Sequence, residues 1–269
     1  MTNSTLPTNL NFLRPVVIED LKRYGNKFDG GYVLPKSSIE KMDAMISMGI
    51  NDDWSLEKQL STIKPELHID AYDHTISRRK FNKEFRLEFY KFLLFRSSPS
   101  RLIKKFSVFY NYGKFFKGHV THFQKRVYNR INYPYDITID NIFSKLPSNS
   151  TNIFLKMDIE GGEYRTLESI FPYADRIELL AIEFHDTYPF REKFSDLIRG
   201  LQKHFAIVHI HGNNDGGAAE DGLPETLEIT MIRKSNIHEP IKYRKRLPLA
   251  DLDAPNGQEL PDLIMNFNE

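Results

Sequence analysis

The chain has 269 residues, 40% of them hydrophobic, with a formal net charge of +1 and no cysteine, which is the composition of an ordinary folded domain. Disulfides, thiolate nucleophiles and Cys-ligated zinc are excluded, so a metal would have to be held by His, Asp, Glu, Asn or Gln. No apolar run reaches the roughly 18 residues of a membrane span, and residues 1–13 lack the basic-then-apolar order of a signal peptide, so the expected location is cytoplasmic with no transmembrane segment.

In chain order, residues 44–48 and 67–72 read as strands around a helix at 54–63, where apolar residues recur at helical spacing. Residues 136–139 give a short strand, Asp140 is placed to cap a helical turn running to Lys145, and residues 153–157 form a buried strand. A helix at 163–170 follows, then a strand at 179–184, an amphipathic helix at 191–204, and strands at 206–210 and 226–233. This alternation predicts an α/β fold with a mostly parallel, Rossmann-like sheet and helices on both faces.

Residues 78–130 break that rhythm. Fifteen Lys and Arg residues there face only Glu84 and Glu88, a local excess of thirteen positive charges, so the rest of the chain carries twelve negative ones. Apolar spacing at 85–95 and 102–112 predicts a basic, aromatic helical insert, because a structureless loop of that length does not suit a compact domain. Such charge segregation marks a surface that meets an anion, although a Phe/Tyr stripe at helical spacing equally suits a core. The expected organisation is one α/β domain from residues 1–77 and 131–235, the insert at 78–130 as a lid or acceptor-docking element, and a tail at 236–269 that wraps the surface or touches a partner.

Ligands of open parallel sheets sit beyond the carboxyl ends of the strands. Those ends deliver Gly49, Asn51 and Asp52, then Asp73 and His74, then Asp158, then Glu183 and His185, then His211. A glycine turn after one strand and a carboxylate at the end of the next suit a nucleoside. The full G-x-G-x-x-G fingerprint and the P-loop are both missing, which favours a ligand without a pyrophosphate, such as S-adenosylmethionine.

The segment Leu155-Lys156-Met157-Asp158-Ile159-Glu160-Gly161-Gly162-Glu163 resembles the K-[IM]-D-[IV]-E-G-x-E signature of FkbM-like methyltransferases. Thr138-Ile139-Asp140-Asn141-Ile142 is similar to that family's T-[IL]-D-x-[LIF], and Ala71-Tyr72-Asp73-His74 to its A-[FY]-[ED]-P, with His74 in place of proline. Asp29-Gly30-Gly31-Tyr32-Val33, Ile182-Glu183-Phe184-His185 and the segment 209–214 are similar to a bacterial subset acting on surface polysaccharides. The resemblance implies a class I methyltransferase sheet and O-methylation of a hydroxyl, on a sugar, nucleotide-sugar or polysaccharide precursor with an anionic group.

On that resemblance, Gly49, Asn51 and Asp52 hold the amino-acid part of S-adenosylmethionine, Asp73 and His74 lie at its ribose end, and Asp29, Gly30, Gly31 and Tyr32 close over it. Alignment and a base for the acceptor hydroxyl are the chief needs of such a transfer. Asp158, His185 and His211 are the catalytic candidates. A hard divalent cation, Mg or Mn, held by Asp158, Glu183 and His211 from three neighbouring strand ends is the alternative means of activating the hydroxyl. Glu160 and Glu163 also have an architectural role, at a tight strand-to-helix turn with Glu163 at the helix N-terminus. A nucleic-acid methyltransferase using the basic aromatic insert, a non-catalytic docking protein and a homo-oligomer stay open as alternatives; nucleic acid is the less favoured partner because the N-P-P-[YFW] tetrad of amine methylases is missing.

Overall fold

A computed structural model describes residues 3–238 and 240–268. Its centre is a seven-stranded sheet, whose strands are numbered here in chain order: β1 Ala44–Met48, β2 His68–Tyr72, β3 Val120–Phe123, β4 Ile153–Met157, β5 Ile177–Phe184, β6 Phe205–Gly212 and β7 Leu227–Arg233. The spatial order is β6-β7-β5-β4-β1-β2-β3. Neighbours pair in parallel except β7, which runs antiparallel to both β5 and β6. Every residue of β1, β4, β5 and β6 is buried, as expected of strands covered on both faces.

Helix α1, Ser55–Ile63, lays Leu56 and Leu60 against one face of the sheet, the i, i+4 spacing that puts two side chains on one stripe. Two longer helices form an antiparallel hairpin: α2, Arg78–Leu93, and α3, Pro99–Phe115. Ser77 and Ser98 cap their N-termini by accepting from the amides of Lys80 and Arg101, and Pro99 begins α3, where its missing N–H is harmless. Phe95, in the left-handed region at φ 56, turns the chain at the end of α2.

Three local expectations are corrected. The insert is not wholly helical: β3 hydrogen-bonds to β2 at the sheet edge, and Arg126–Val127 pairs with Asp136–Ile137. The run Val120-Thr121-His122-Phe123 meets an otherwise open edge of β2, and edge pairing satisfies those backbone groups. The helix expected at 163–170 is α-helical only over Glu163–Thr166 and continues as a 3-10 helix over Leu167–Arg176, where Pro172 lacks the N–H that a regular helix needs. Thr138, not Asp140, caps helix Ile139–Phe143, its hydroxyl accepting from the Asn141 amide while Asp140 accepts from the Tyr173 hydroxyl.

The tail wraps its own domain. Ile264–Phe267 pairs in parallel with Asn3–Leu6, and Leu247, Met265 and Phe267 join the main core. Side chains fasten it to the end of β6: His209 Nε2 lies 3.1 Å from Asp253, His211 Nε2 lies 3.1 Å from Asp262, and Asn214 donates to the carbonyls of Gly257 and Leu260. Burial alone would lower the pKa of His211, but hydrogen bonding to Asp262 and Glu228 outweighs it and pushes the imidazole up to about 10.

That shift gives a test. A folded pKa above the unfolded value of about 6.5 means the stabilisation is complete below pH 6.5 and is lost as pH rises through about 10. Asp262→Ala, which leaves Nε2 of a buried imidazolium without its carboxylate and only Glu228 on the other side, is expected to destabilise the protein by about 3 kcal/mol near neutral pH. Urea unfolding should show that difference shrinking as the pH is taken through the His211 pKa.

Candidate active site

Gly49 begins the site. It follows β1 with φ +75, and a Cβ placed there would lie 1.6 Å from the Asp158 carbonyl oxygen, so only glycine lets the β1 turn and the β4 end approach this closely. Asp73, at the end of β2, organises the same turn. Its Oδ2 accepts from the amides of Ile50 (3.1 Å) and Asn51 (2.9 Å), and its Oδ1 from the amide and hydroxyl of Thr75 at 2.7 and 2.6 Å. Burial opposes ionisation of Asp73, but these donors outweigh it and hold its carboxyl below the usual range.

Beyond these strand ends lies a cleft of about 580 Å³. Asp29, Gly30 and Tyr32 border it from the hairpin of Leu21–Gly25 with Gly31–Pro35, Gly49, Asn51 and Asp52 from the β1 turn, and Asp73 from β2. Asp158, Glu183 and His185 border it from β4 and β5. Eight carboxylates face this space against Lys80, Lys156 and His185, so the cleft favours a cationic ligand.

Lys156 lies at the centre of these charges. It stands on β4 with its side chain 7% exposed, donates to the Gly49 carbonyl, sits 3.5 Å from Asp158 Oδ2, and lies over the Tyr32 ring at 5.6 Å. Burial disfavours its charge, but Asp158, Glu57 and Glu183 more than compensate and its pKa is raised. Glu57 reaches in from α1 and accepts from the Ser47 hydroxyl, its own pKa raised by burial.

On the β5 side, His185 Nε2 lies 3.9 Å from Asp158 and 3.5 Å from Glu160, and its Nδ1 lies 3.5 Å from the fully buried Glu163 Oε1. At 3.5 Å the Glu163 contact is more an ion pair than a hydrogen bond. Burial would lower the His185 pKa, but Glu163, Glu183 and Asp158 raise it instead. Glu183 accepts from Asn213 Nδ2 at 3.1 Å, and burial together with the charges of Asp158 and Glu228 pushes its carboxyl well above the usual range. Glu163 Oε1 also accepts from the Ile159 amide at 2.7 Å, so it braces the turn as well as facing His185.

Three expected site residues lie elsewhere. His211 does not border the cleft. Antiparallel β7 stands between β5 and β6, so Glu183, Glu228 and His211 form a row across three strands, with the outer two roughly 10 Å apart at the usual strand spacing. Both ring nitrogens of His211 face carboxylates, Glu228 at 3.6 Å and Asp262 at 3.1 Å, which removes it as a free base and as a ligand beside Asp158. His185 takes that place: among the described residues, Asp158, Glu183 and His185 offer ligand atoms all within 4.8 Å of one another. His74 is exposed and stacks on Tyr135 at 5.9 Å, and Gly31 belongs to the hairpin beside the cleft without bordering it.

Sequence reasoning missed Lys156 and Glu57, and also Lys80 and Asp215 on the border of the cleft. A charged residue inside the apolar strand 153–157 is itself a signal, since lysine is almost never fully buried without partners. Glu57 had a signal in its position three residues before Leu60 on the buried stripe of the helix.

Residues 113–208, about a third of the chain, match the family described as the methyltransferase FkbM domain. The matched segment contains β3, β4 and the Asp158 to Glu163 turn. No curated protein matches the sequence. Among solved structures, the Methanococcus jannaschii fibrillarin pre-rRNA processing protein is 10% identical with a TM-score of 0.39, covering 82% of this chain and 87% of that one. The precorrin-6y C5,15-methyltransferase from Geobacter metallireducens GS-15 is 11% identical with a TM-score of 0.35, covering 74% and 84%. The plantazolicin methyltransferase BpumL in complex with SAH is 9% identical with a TM-score of 0.35, covering 74% and 79%. Likeness at this level carries no argument about the acceptor.

The Gly49 geometry is testable against Gly161, which also has positive φ (+83) but has open space where a Cβ would stand. Gly161→Ala is expected to lose about 1–2 kcal/mol through backbone strain alone. Gly49→Ala adds a collision with backbone, and should lose more stability and also weaken S-adenosylhomocysteine binding in calorimetry.

Proposed function

We propose that this chain, whose residues 113–208 match the methyltransferase FkbM domain, is an S-adenosylmethionine-dependent methyltransferase that O-methylates a hydroxyl on a sugar, nucleotide-sugar or surface-polysaccharide precursor carrying an anionic group. The observation that carries the reading is the meeting of Asp158 and His185, 3.9 Å apart, on the floor of an acidic cleft beside the Gly49 turn. S-Adenosylmethionine supplies an electrophilic methyl group on a cationic sulfonium, and a cleft with eight carboxylates offsets that charge.

The chain's own residues divide the work. Gly49, Asn51 and Asp52 present backbone and polar groups to the amino-acid part of the donor. Asp73, saturated by four donors from the protein, acts at the ribose end mainly by fixing the turn that carries Asn51. Asp29, Gly30 and Tyr32 border the donor from the hairpin. Asp158 accepts a hydrogen bond from the acceptor hydroxyl and orients it, and His185, held from behind by Glu163, takes its proton at Nε2. Lys156 supplies a positive charge beside Asp158 and ties it to the Gly49 turn without reaching the acceptor. The insert's cations draw the anionic acceptor toward the cleft.

Asp158→Asn, which weakens orientation of the acceptor hydroxyl, should lower kcat by about 10²-fold, the usual cost of a misplaced reactant, while S-adenosylhomocysteine affinity changes little. A raised His185 pKa means that the imidazole is protonated at neutral pH and becomes a base only as pH rises. The rate should therefore climb on the alkaline side of neutrality, and His185→Gln should remove that limb from the pH profile. No heat of binding with S-adenosylmethionine or S-adenosylhomocysteine would refute the reading as a whole.

One observation favours a second means of activating the hydroxyl. Two carboxylates and an imidazole within 4.8 Å, with no sulfur ligand, match the donor preferences of magnesium or manganese. Asp158, Glu183 and His185 would hold the ion, which would supply Lewis acidity at the acceptor oxygen. Turnover that survives EDTA and does not respond to added magnesium or manganese leaves the proton-acceptor route alone; loss with EDTA and recovery with either ion assigns the cluster to a metal.

A further inference from the structure

We infer that the α2–α3 hairpin is an arm that docks on an anionic lipid bilayer and presents the cleft to a membrane-carried acceptor. The docking stands on the arm itself; the acceptor class rests on the methyl-transfer reading above.

The arm has no core of its own. From Asn82 to His119 no residue is buried, and α3 contributes none. Its apex is apolar: Leu93 is 55% exposed, Leu94 64% and Phe95 98%. The left-handed backbone at Phe95 ends α2 and holds its ring out into solvent. Along the two helices Tyr90 and Phe106 are also exposed, at 56% and 48%. Contiguous exposed apolar surface marks an interaction site.

Charge selects the partner. Twelve Lys and Arg residues between Arg78 and Lys117 face only Glu84 and Glu88. Both acids are engaged within the arm, Glu84 by Lys105 at 2.7 Å and Glu88 by Lys91 and the Ser97 hydroxyl. Arg86, Arg96, Arg101 and Lys104 make no ion pair among the described residues. An apolar wedge with flanking cations is the two-part signal that stable binding to an anionic bilayer requires, since either part alone binds weakly. Aliphatic side chains at the apex distinguish a bilayer from a nucleic acid. Bases stack on aromatic faces, to which Leu93 and Leu94 contribute nothing, whereas the acyl region accepts them.

The root of the arm reaches the cleft. Phe81, Tyr112 and Phe116 pack on Trp54 at 6.0, 5.9 and 5.5 Å between ring centres, next to Asp52 and Asp53, and Lys80 at the start of α2 borders the cleft itself. A docked apex therefore sets the cleft at a fixed height above the lipid surface. No helix among the described residues is long and apolar enough to cross a membrane, so the contact is peripheral.

Flotation of the full chain with phosphatidylcholine vesicles containing about 30 mol % phosphatidylglycerol tests this. Binding is expected to those vesicles, not to pure phosphatidylcholine, and to fall steeply as salt is raised. Phe95→Asp, and separately the pair Arg96→Glu and Arg101→Glu, should each reduce partitioning about tenfold or more. None of these positions is buried, so S-adenosylhomocysteine binding should be unchanged in the variants. Equal partitioning of variants and parent, equal binding to uncharged vesicles, or no flotation would overturn the docking. Salt-sensitive retention of a single-stranded oligonucleotide without flotation would assign the arm to nucleic acid instead. A chain that floats but binds no S-adenosylhomocysteine keeps the docking and loses the methyl-transfer reading; one that binds it but does not float does the reverse.

Discussion

The buried ammonium of Lys156 is the interaction on which the cleft depends. It ties the Gly49 carbonyl of the β1 turn to the Asp158 carboxylate at the end of β4, and its charge is sustained by Glu57 from α1 and Glu183 from β5. Four elements thus converge on one cation. Without it Glu57 and Asp158 would lose the cation nearest them, and like charges left in a desolvated space take up protons instead of ionising. Glu183 already shows that tendency, its carboxyl raised by burial and by Asp158 and Glu228.

A second constraint comes from the reversed strand. Because β7 enters antiparallel between β5 and β6, His209 and His211 of β6 are held away from Asp158 and meet the tail instead, while Asn213 and Asp215 just beyond the strand still border the cleft. The histidine that reads along the chain as a catalytic group, His211, is a fastening point. The tail also reaches back toward the site, where Asn256 Nδ2 donates to Glu228 at 3.0 Å and lies 3.5 Å from Asp29. Closing the domain and bordering the cleft are therefore linked through the same few polar groups.

The charge segregation read from the sequence takes a definite form in space. Positive charge is carried by an arm that stands outside the core, and negative charge is concentrated in the cleft. One polypeptide of nearly zero net charge therefore keeps a basic surface and an acidic cleft apart. The aromatic contacts of Trp54 join the two regions mechanically.

Most of the sheet, its strand ends and a resemblance to FkbM-like methyltransferases were legible in the sequence, because strand periodicity, the Gly49 turn and the Lys156 to Glu163 motif are local properties of contiguous residues. It also exposed the basic insert, since charge can be counted without knowing where it lies. Only the tertiary structure decided which polar ends meet. His211 and Asp262 are 51 residues apart, farther than the reach of a local motif, and no local pattern reveals that an antiparallel strand separates His211 from Asp158. For the same reason His185 and Glu163 gained a joint role, and Lys156 a central one: burial and pairing between distant segments set their charge states, and those follow from packing, not from spacing along the chain.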